Sequence, residues 1–282
     1  MKIKKTKKSS PTPPNIDFSK ASLEELKKLL KDRGDVGPKY LFNAVKEVAD
    51  VRDYQYVFWL DLMGARNAMK LSLPRAARSV MKIHSATMLS KQQHPELEVN
   101  PVMDGVYGYV RTRVLLQTCL RQIFKALANV FVQESEASNR FMVRAGIAFG
   151  PIVPGVSLAE GAQILRQNRE YLGGTAIGMA ISHAYEAEGC APPFGVYIHE
   201  SARAFAPMPD GYPYVSNLYK WFDEEDALTW ATRRTLLNHF DWLEKNPIVS
   251  QYEPEALKRH KSLAEEYFRL YELTGKGPDE KT

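Results

Sequence analysis

A chain of 282 residues, 44% hydrophobic and 25% charged, has the composition of a soluble globular protein with a sizeable core. No apolar run approaches the roughly 20 residues that span a bilayer, and Met1 to Pro14 is basic and Pro-rich, without the apolar stretch of a secretory leader. The formal net charge of +5 is matched by Lys2, Lys4, Lys5, Lys7 and Lys8 alone, so the body of the chain is about neutral and no specific nucleic-acid partner is expected.

Residues 1–20 read as a disordered basic tail. Ser22-Leu23-Glu24-Glu25 is a capping box, and Leu23, Leu26, Leu29 and Leu30 follow at helical spacing towards Gly34. A second helix is expected over about 38–49, so that 21–50 forms an N-terminal helical segment. The run 54–62, rich in aromatics and valine, predicts a buried strand. Pro74 suits a first helical turn, and Ala76, Val80, Ile83 and Met88 continue a helix over 75–92. Residues 97–103 and 105–111 alternate around Asp104-Gly105, a hairpin signal.

Leu115 to Val132 predicts an apolar helix and 141–153 a strand with two glycines. Ser157-Leu158-Ala159-Glu160 is another capping box. A helix over 178–189 and a strand over 195–199 follow, with one more possible strand after Pro213. The order β–α–β–β–α–β predicts an α+β, ferredoxin-like domain, an antiparallel sheet with helices on one face, over 51–220. Two long helices, Glu225–Lys245 and Pro254–Leu273, form a C-terminal helical extension over 221–282. Cys119 and Cys190 sit in apolar helical patterns and read as reduced, buried thiols of a cytoplasmic protein.

Two aspartates carry the chemistry. Asp61 ends the strand Tyr56-Val57-Phe58-Trp59-Leu60, and Asp104 occupies the hairpin. Taken alone, Asp61 could be a helix cap or surface ion pair, and Asp104 a purely structural turn residue. As a pair on neighbouring strands they fall at the same end of the sheet. Carboxylates about 4–6 Å apart repel and raise one pKa unless cations bridge them. Paired carboxylates hold divalent cations, and two cations handle a triphosphate. The amides from Met63 through Gly64 and Ala65 to Arg66, where the chain turns into a helix, can face a phosphate. Arg144 is a triphosphate contact or an edge-strand ion pair; His183 and Tyr185 read mainly as packing. No Gly-x-Ser-x-Gly elbow and no Gly-x4-Gly-Lys-Ser loop is present.

Phe58-Trp59-Leu60-Asp61-Leu62-Met63-Gly64, then Val102-Met103-Asp104-Gly105, then Val143-Arg144-Ala145-Gly146-Ile147-Ala148-Phe149-Gly150 resemble the three signature segments of class III nucleotide cyclases, over roughly residues 54–200. The second keeps the Asp but carries Met103 where that family usually has Gly. On the following helix, Gly178, Ala184 and Glu188 match. Met179 replaces the base-reading Asp, Ser182 the Asn and Glu186 the Arg; an alternative register from Gly174 puts Thr175, Gly178 and Ser182 at those places. Asn100 stands where the base-reading Lys is expected, so the ammonium–carboxylate pair that reads adenine is missing.

The pattern, with Ala184-Tyr185-Glu186-Ala187-Glu188, is similar to the bacterial Pycsar pyrimidine cyclases of anti-phage defence. The resemblance implies 3′,5′-cyclic UMP or cyclic CMP made from UTP or CTP. It implies two divalent cations, Mn²⁺ or Mg²⁺, on Asp61, Asp104 and the Leu62 carbonyl, and a head-to-tail homodimer with sites at the interface. Substrate contacts are expected at Met63, Gly64, Ala65, Asn100, Arg144 and Ser182. A diguanylate cyclase would need a Gly-Gly-(Asp/Glu)-(Asp/Glu)-Phe hairpin, which Met103-Asp104-Gly105-Val106-Tyr107 is not. A degenerate cyclase fold that only binds a nucleotide or partner is the remaining alternative.

Overall fold

The computed structural model describes residues 53–158, 167, 169–204, 214, 216–270 and 273, together with Ser22, Glu24 and Lys28. The expected tail, most of the N-terminal helical segment and part of the Ser157 capping box lie outside the described residues.

The first strand, β1 (Asp53–Leu62), alternates between two environments. Tyr56, Phe58, Leu60 and Leu62 enter one apolar cluster; Val57 enters a second, smaller one against which Trp59 packs. A strand sorts its side chains this way because successive residues point to opposite faces. Helix α1 (Ala65–Leu71) follows directly, then α2 (Leu73–Gln93), whose N-terminus is capped by Ser72 accepting from the Arg75 amide, with Pro74 in its first turn. The hairpin strands β2 (Glu98–Val102) and β3 (Gly105–Val110) turn at Met103-Asp104. Met103 adopts φ 43° and is 90% exposed, so the left-handed turn is made by a residue that packs on nothing. Helix α3 (Arg113–Gln133), capped by Thr112, runs back along the sheet. Strand β4 (Val143–Pro154), the short β5 (Ala176–Ile177), helix α4 (Met179–Glu188), β6 (Val196–Ile198) and β7 (Leu218–Tyr219) complete the sheet region.

Strand order is β2-β3-β1-β4-β6-β7, with β5 paired to the end of β4. The first four strands are antiparallel neighbours, in register at Phe58–Gly108 and Phe58–Ile147. This is the order of a ferredoxin-like core, and the fold is α+β as the element order predicts. Two features go beyond that expectation. β6 runs parallel to β4, making the sheet mixed. Helices also cover both faces rather than one. α2 and α3 bury Ile83, Leu116, Leu120, Ile123, Phe124, Leu127 and Phe131 on the Phe58 side, each large side chain contributing about 1.5–3 kcal/mol. α4 lies on the Val57 side with Ala180 and Ala184 inward.

The C-terminal helices α5 (Ala227–Lys245) and α6 (Pro254–Phe268) place Leu236, Phe240, Leu257, Tyr267 and Phe268 in the same cluster as the sheet. Asp226 caps α5 by accepting from the Leu228 amide. Cys119 is buried as expected. Cys190 is exposed, a correction to the reading of two buried thiols: it lies just past the end of α4, where the chain leaves the apolar face. No helix among the described residues is long and apolar enough to cross a membrane.

The close approach of α4 to β4 is allowed by glycine. A Cβ on Gly146 would collide with the Ala184 carbonyl and the Glu188 amide, whereas one on Gly150 would make only a 3.4 Å contact with Ala180 Cβ. Gly146→Ala is therefore expected to cost about 1–3 kcal/mol by forcing the helix outward, and Gly150→Ala well under that. Thermal melting of the two variants beside the parent checks the contrast; equal melting temperatures would contradict it.

Candidate active site

Asp61 ends β1 next to β3 on one side and β4 on the other, opposite Arg144 in the ladder. The hairpin lies against it: a Cβ on Gly105 would come within 2.5 Å of the Leu60 carbonyl and 2.9 Å of Asp61 Oδ1. Asp61 and Asp104 are thus brought together as the strand arrangement predicts. Their proximity shows in the acidity of Asp61, whose carboxyl is pushed up to about 7. Burial is the largest cause, followed by the negative charges of Asp104 and Glu188; a hydrogen bond from the Leu62 amide and the Arg144 charge act the other way.

Arg144 offsets the acidic pair only in part, because its guanidinium is already engaged. Its Nε forms a short ion pair with Glu188, and its Nη1 donates to the Gly189 carbonyl at 3.2 Å. β4 lies between β1 and β6, so this is an interior strand and not the edge strand of the sequence reading. Glu188 is 3% exposed, and burial raises its pKa against the pull of Arg144. In the sequence Glu188 stands out only as a match to the cyclase helix motif, with nothing to mark it as the partner of Arg144.

The turn after Asp61 carries Gly64 at φ 74° as the N-cap of α1. Gly64 permits the left-handed turn but offers no capping side chain, and the first amides of a helix lack internal partners. The Met63 amide is different: it donates to the Met142 carbonyl at 2.9 Å, so it is committed and cannot face a ligand. Ala65 is buried and Gly64 exposed.

Asn100 and Ser182 lie on other elements. Asn100 is opposite Tyr107 in the β2–β3 ladder, on the α4 side of the sheet, and 1% exposed. Trp59 stacks on Tyr107 at 5.8 Å, meets Tyr185 edge-on at 5.1 Å, and among the described residues has no partner for its buried Nε1. Ser182 is exposed, on the outer side of α4. Two residues with no motif to mark them, Tyr252 and His260, reach the site from the C-terminal helices, beside Gly64 and within the electrostatic reach of Arg144.

No family model matches the sequence, and no curated protein does. Solved structures similar to this chain are nucleotide cyclase domains. An adenylate/guanylate cyclase/hydrolase from Silicibacter pomeroyi is 16% identical, with 52% of this chain and 76% of that one covered at a TM-score of 0.40. The monomeric guanylyl cyclase domain of the RhoGC fusion protein from Blastocladiella emersonii is 13% identical, with 53% and 82% covered at 0.40. The guanylate cyclase domain of RhGC from Catenaria anguillulae, in complex with GTP, is 11% identical, with 53% and 79% covered at 0.39.

A carboxyl whose folded pKa stands near 7 against an ordinary 3.8 holds its proton in the folded chain after the unfolded chain has lost it. Its stabilising contribution is complete below pH 3.8 and is lost as pH rises through about 7. In metal-free buffer, melting temperature against pH is expected to fall across this window in the parent and to fall less in Asp61→Asn. Identical slopes would show that Asp61 is not the group responsible.

Proposed function

We propose that this protein is a divalent-cation-dependent nucleotide cyclase. It converts UTP or CTP, UTP favoured, into the 3′,5′-cyclic monophosphate and pyrophosphate, a second messenger in anti-phage defence. The observation that carries the reading is the meeting of Asp61 and Asp104 at the open end of β1, with the nearby arginine committed to Glu188. The signature segments around Asp61, Asp104 and Arg144 supply the reaction type; the metals, the pyrimidine substrate and the defence role rest on the likeness to Pycsar cyclases.

The donors suit Mg²⁺ or Mn²⁺. Carboxylates and a backbone carbonyl are hard oxygen ligands. Among the described residues no group of three or more His, Cys, Asp or Glu forms a metal cluster. Mg²⁺ needs no such cluster, because it is commonly held by one or two carboxylates plus water and substrate phosphates. Asp61, Asp104 and the Leu62 carbonyl would hold two such cations, which when bound neutralise phosphate charge and acidify the ribose 3′-hydroxyl. A raised Asp61 pKa fits this role: cation binding displaces its proton and removes the repulsion from Asp104.

The chain's own groups would do the rest. Gly64 and Ala65 present turn amides to the phosphates. Asn100 reads the base with an amide that offers both a donor and an acceptor, which suits either uracil or cytosine. Trp59 and Tyr107 form an aromatic wall on that face. The 3′-oxygen gives up its proton to water and bonds to the α-phosphorus while the bond from the α-phosphorus to the bridging oxygen breaks, and pyrophosphate leaves with that electron pair. Ser182 would act across a homodimer interface, consistent with its outward position beside exposed Met179 and Tyr185.

Incubating the protein with Mn²⁺ and each of the four ribonucleoside triphosphates, with products identified by mass, tests the function. A cyclic pyrimidine monophosphate is expected to dominate; cyclic AMP or cyclic GMP as the main product would refute the pyrimidine assignment. Asp61→Ala and Asp104→Ala are each expected to retain less than about a tenth of pyrophosphate release and to melt no lower than the parent. Activity within tenfold of the parent in either variant would remove the metal assignment. The second reading, a nucleotide-binding protein without turnover, is favoured by the engagement of Arg144 with Glu188, and predicts binding with no product.

Sharing of the site has its own test. A variant lacking Asp61 mixed with one altered at Ser182 and Glu186 is expected to recover activity, at up to about a quarter of sites, by random pairing. Full turnover by a sedimenting monomer would exclude the shared site.

A further inference from the structure

The segment joining α5 to α6 returns to the Gly64 turn. Asn67 of α1 donates from Nδ2 to the Gln251 carbonyl at 2.8 Å. Gln251 has φ 47°, a left-handed conformation uncommon for a residue with a side chain. The segment is stapled internally by the Gln251 amide to the Pro247 carbonyl at 2.8 Å and by the Tyr252 amide to Ser250 Oγ at 3.3 Å. Gln251 is the left-handed C-cap of the short helix Pro247–Ser250, and this cap sets a positional requirement for the residue that follows it.

That requirement concerns Tyr252. Its Cε2, next to the phenol carbon, would be 3.8 Å from a Cβ on Gly64, so the hydroxyl end of the ring lies at the turn. The hydroxyl is 2.6 Å from His260 Nδ1, and His260 Nε2 is 3.2 Å from Arg259 Nη2. A guanidinium only donates, so Nε2 is the acceptor and Nδ1 carries the imidazole proton. Nδ1–H then donates to the tyrosine oxygen, and the phenol proton stays free; among the described residues no acceptor takes it. Burial, with the charges of Arg144 and Arg259 behind it, lowers the His260 pKa to about 4, in keeping with a neutral ring. The Tyr252 hydroxyl is held protonated by burial, with its pKa at about 12.

We propose that Tyr252, aimed by His260 and anchored through Gln251 and Asn67, donates a hydrogen bond to a phosphate oxygen bound at the Gly64 turn. The C-terminal helices thereby contribute a substrate-binding residue to a site otherwise built by the sheet. The inference rests on the reading above that this turn receives the polyphosphate.

Inorganic tripolyphosphate with Mn²⁺ is a probe free of any base contact. Its affinity, measured calorimetrically for the full chain and for Tyr252→Phe, is expected to fall about tenfold or more in the variant, because a bond to a charged acceptor is lost. KM for UTP is expected to rise by a similar factor with kcat little changed. The phenylalanine ring keeps the contact with Gly64, so a purely structural hydroxyl would lower the melting temperature without weakening the anion. Equal affinity in parent and variant would overturn this inference and leave the cyclase reading intact. Failure of the parent itself to bind tripolyphosphate would overturn the phosphate site and this inference together. Should Tyr252→Phe fail to fold, His260→Gln carries the same comparison: affinity is expected to fall severalfold, and parental affinity would overturn the proposal.

Discussion

Two carboxylates meeting at the end of one strand set the terms for the surrounding structure. Asp61 is fixed by the β1 ladder, and Asp104 is brought to it by a hairpin that can pass only because Gly105 has no side chain. Among the described residues, the Leu62 amide and Arg144 relieve the repulsion between them only in part. The nearest cation, Arg144, sits opposite Asp61 but spends its short ion pair on buried Glu188. A folded domain keeps such an uncompensated pair only if something supplies positive charge or the pair stays partly protonated, and the raised pKa of Asp61 is the second state.

The Arg144–Glu188 pair in turn depends on backbone packing. Glu188 ends α4, and α4 lies close enough for that contact because Gly146 lets the helix backbone press on β4. Helix position therefore controls where the guanidinium charge is spent. Moving Glu188 away would return the charge of Arg144 to Asp61 and lower that carboxyl's pKa, while leaving a buried arginine in need of a new anionic partner. The same helix carries exposed Met179 and the half-exposed Tyr185 that meets Trp59, so a contact made there would act on the carboxylate pair through a rigid element.

Much of the fold was legible because its signals are local. Aromatic and valine content marked β1, alternation marked the hairpin, Pro74 marked the start of α2, and the apolar run of α3 matched its burial. Both aspartates were legible as a pair because strand order alone places them together. The rest depended on contacts far apart in sequence. Glu188 matches the cyclase helix motif, but its burial and ion pair cannot be read until the sheet places Arg144 beneath it. The availability of the Met63 amide could not be judged without Met142, whose carbonyl takes it. Cys190 follows an apolar helix in sequence, but the helix stops at Glu188, two residues before it, and Cys190 is exposed. Helix placement on both faces was equally invisible, since the sequence of α4 shows a small-residue face but not which side of the sheet receives it.

The C-terminal helices illustrate why an extension read from sequence need not behave as one. They share the principal core with the sheet, and two polar contacts tie them down: Trp221 donates its indole N–H to the Phe194 carbonyl at 2.7 Å, and the Tyr267 hydroxyl donates to the Tyr219 carbonyl. A body anchored at the β7 edge and returning through Gln251 to the Gly64 turn brackets the core from two sides. The two ends of a nucleotide would then meet different parts of the protein. On the proposed reading, the phosphate end would face the turn and the C-terminal helices, and the base end Asn100, Trp59 and α4. With the carboxylate pair between them, a change in either flank would reach the reacting atoms through Asp61 and Asp104, so specificity at one end and phosphate binding at the other could vary without disturbing the pair itself.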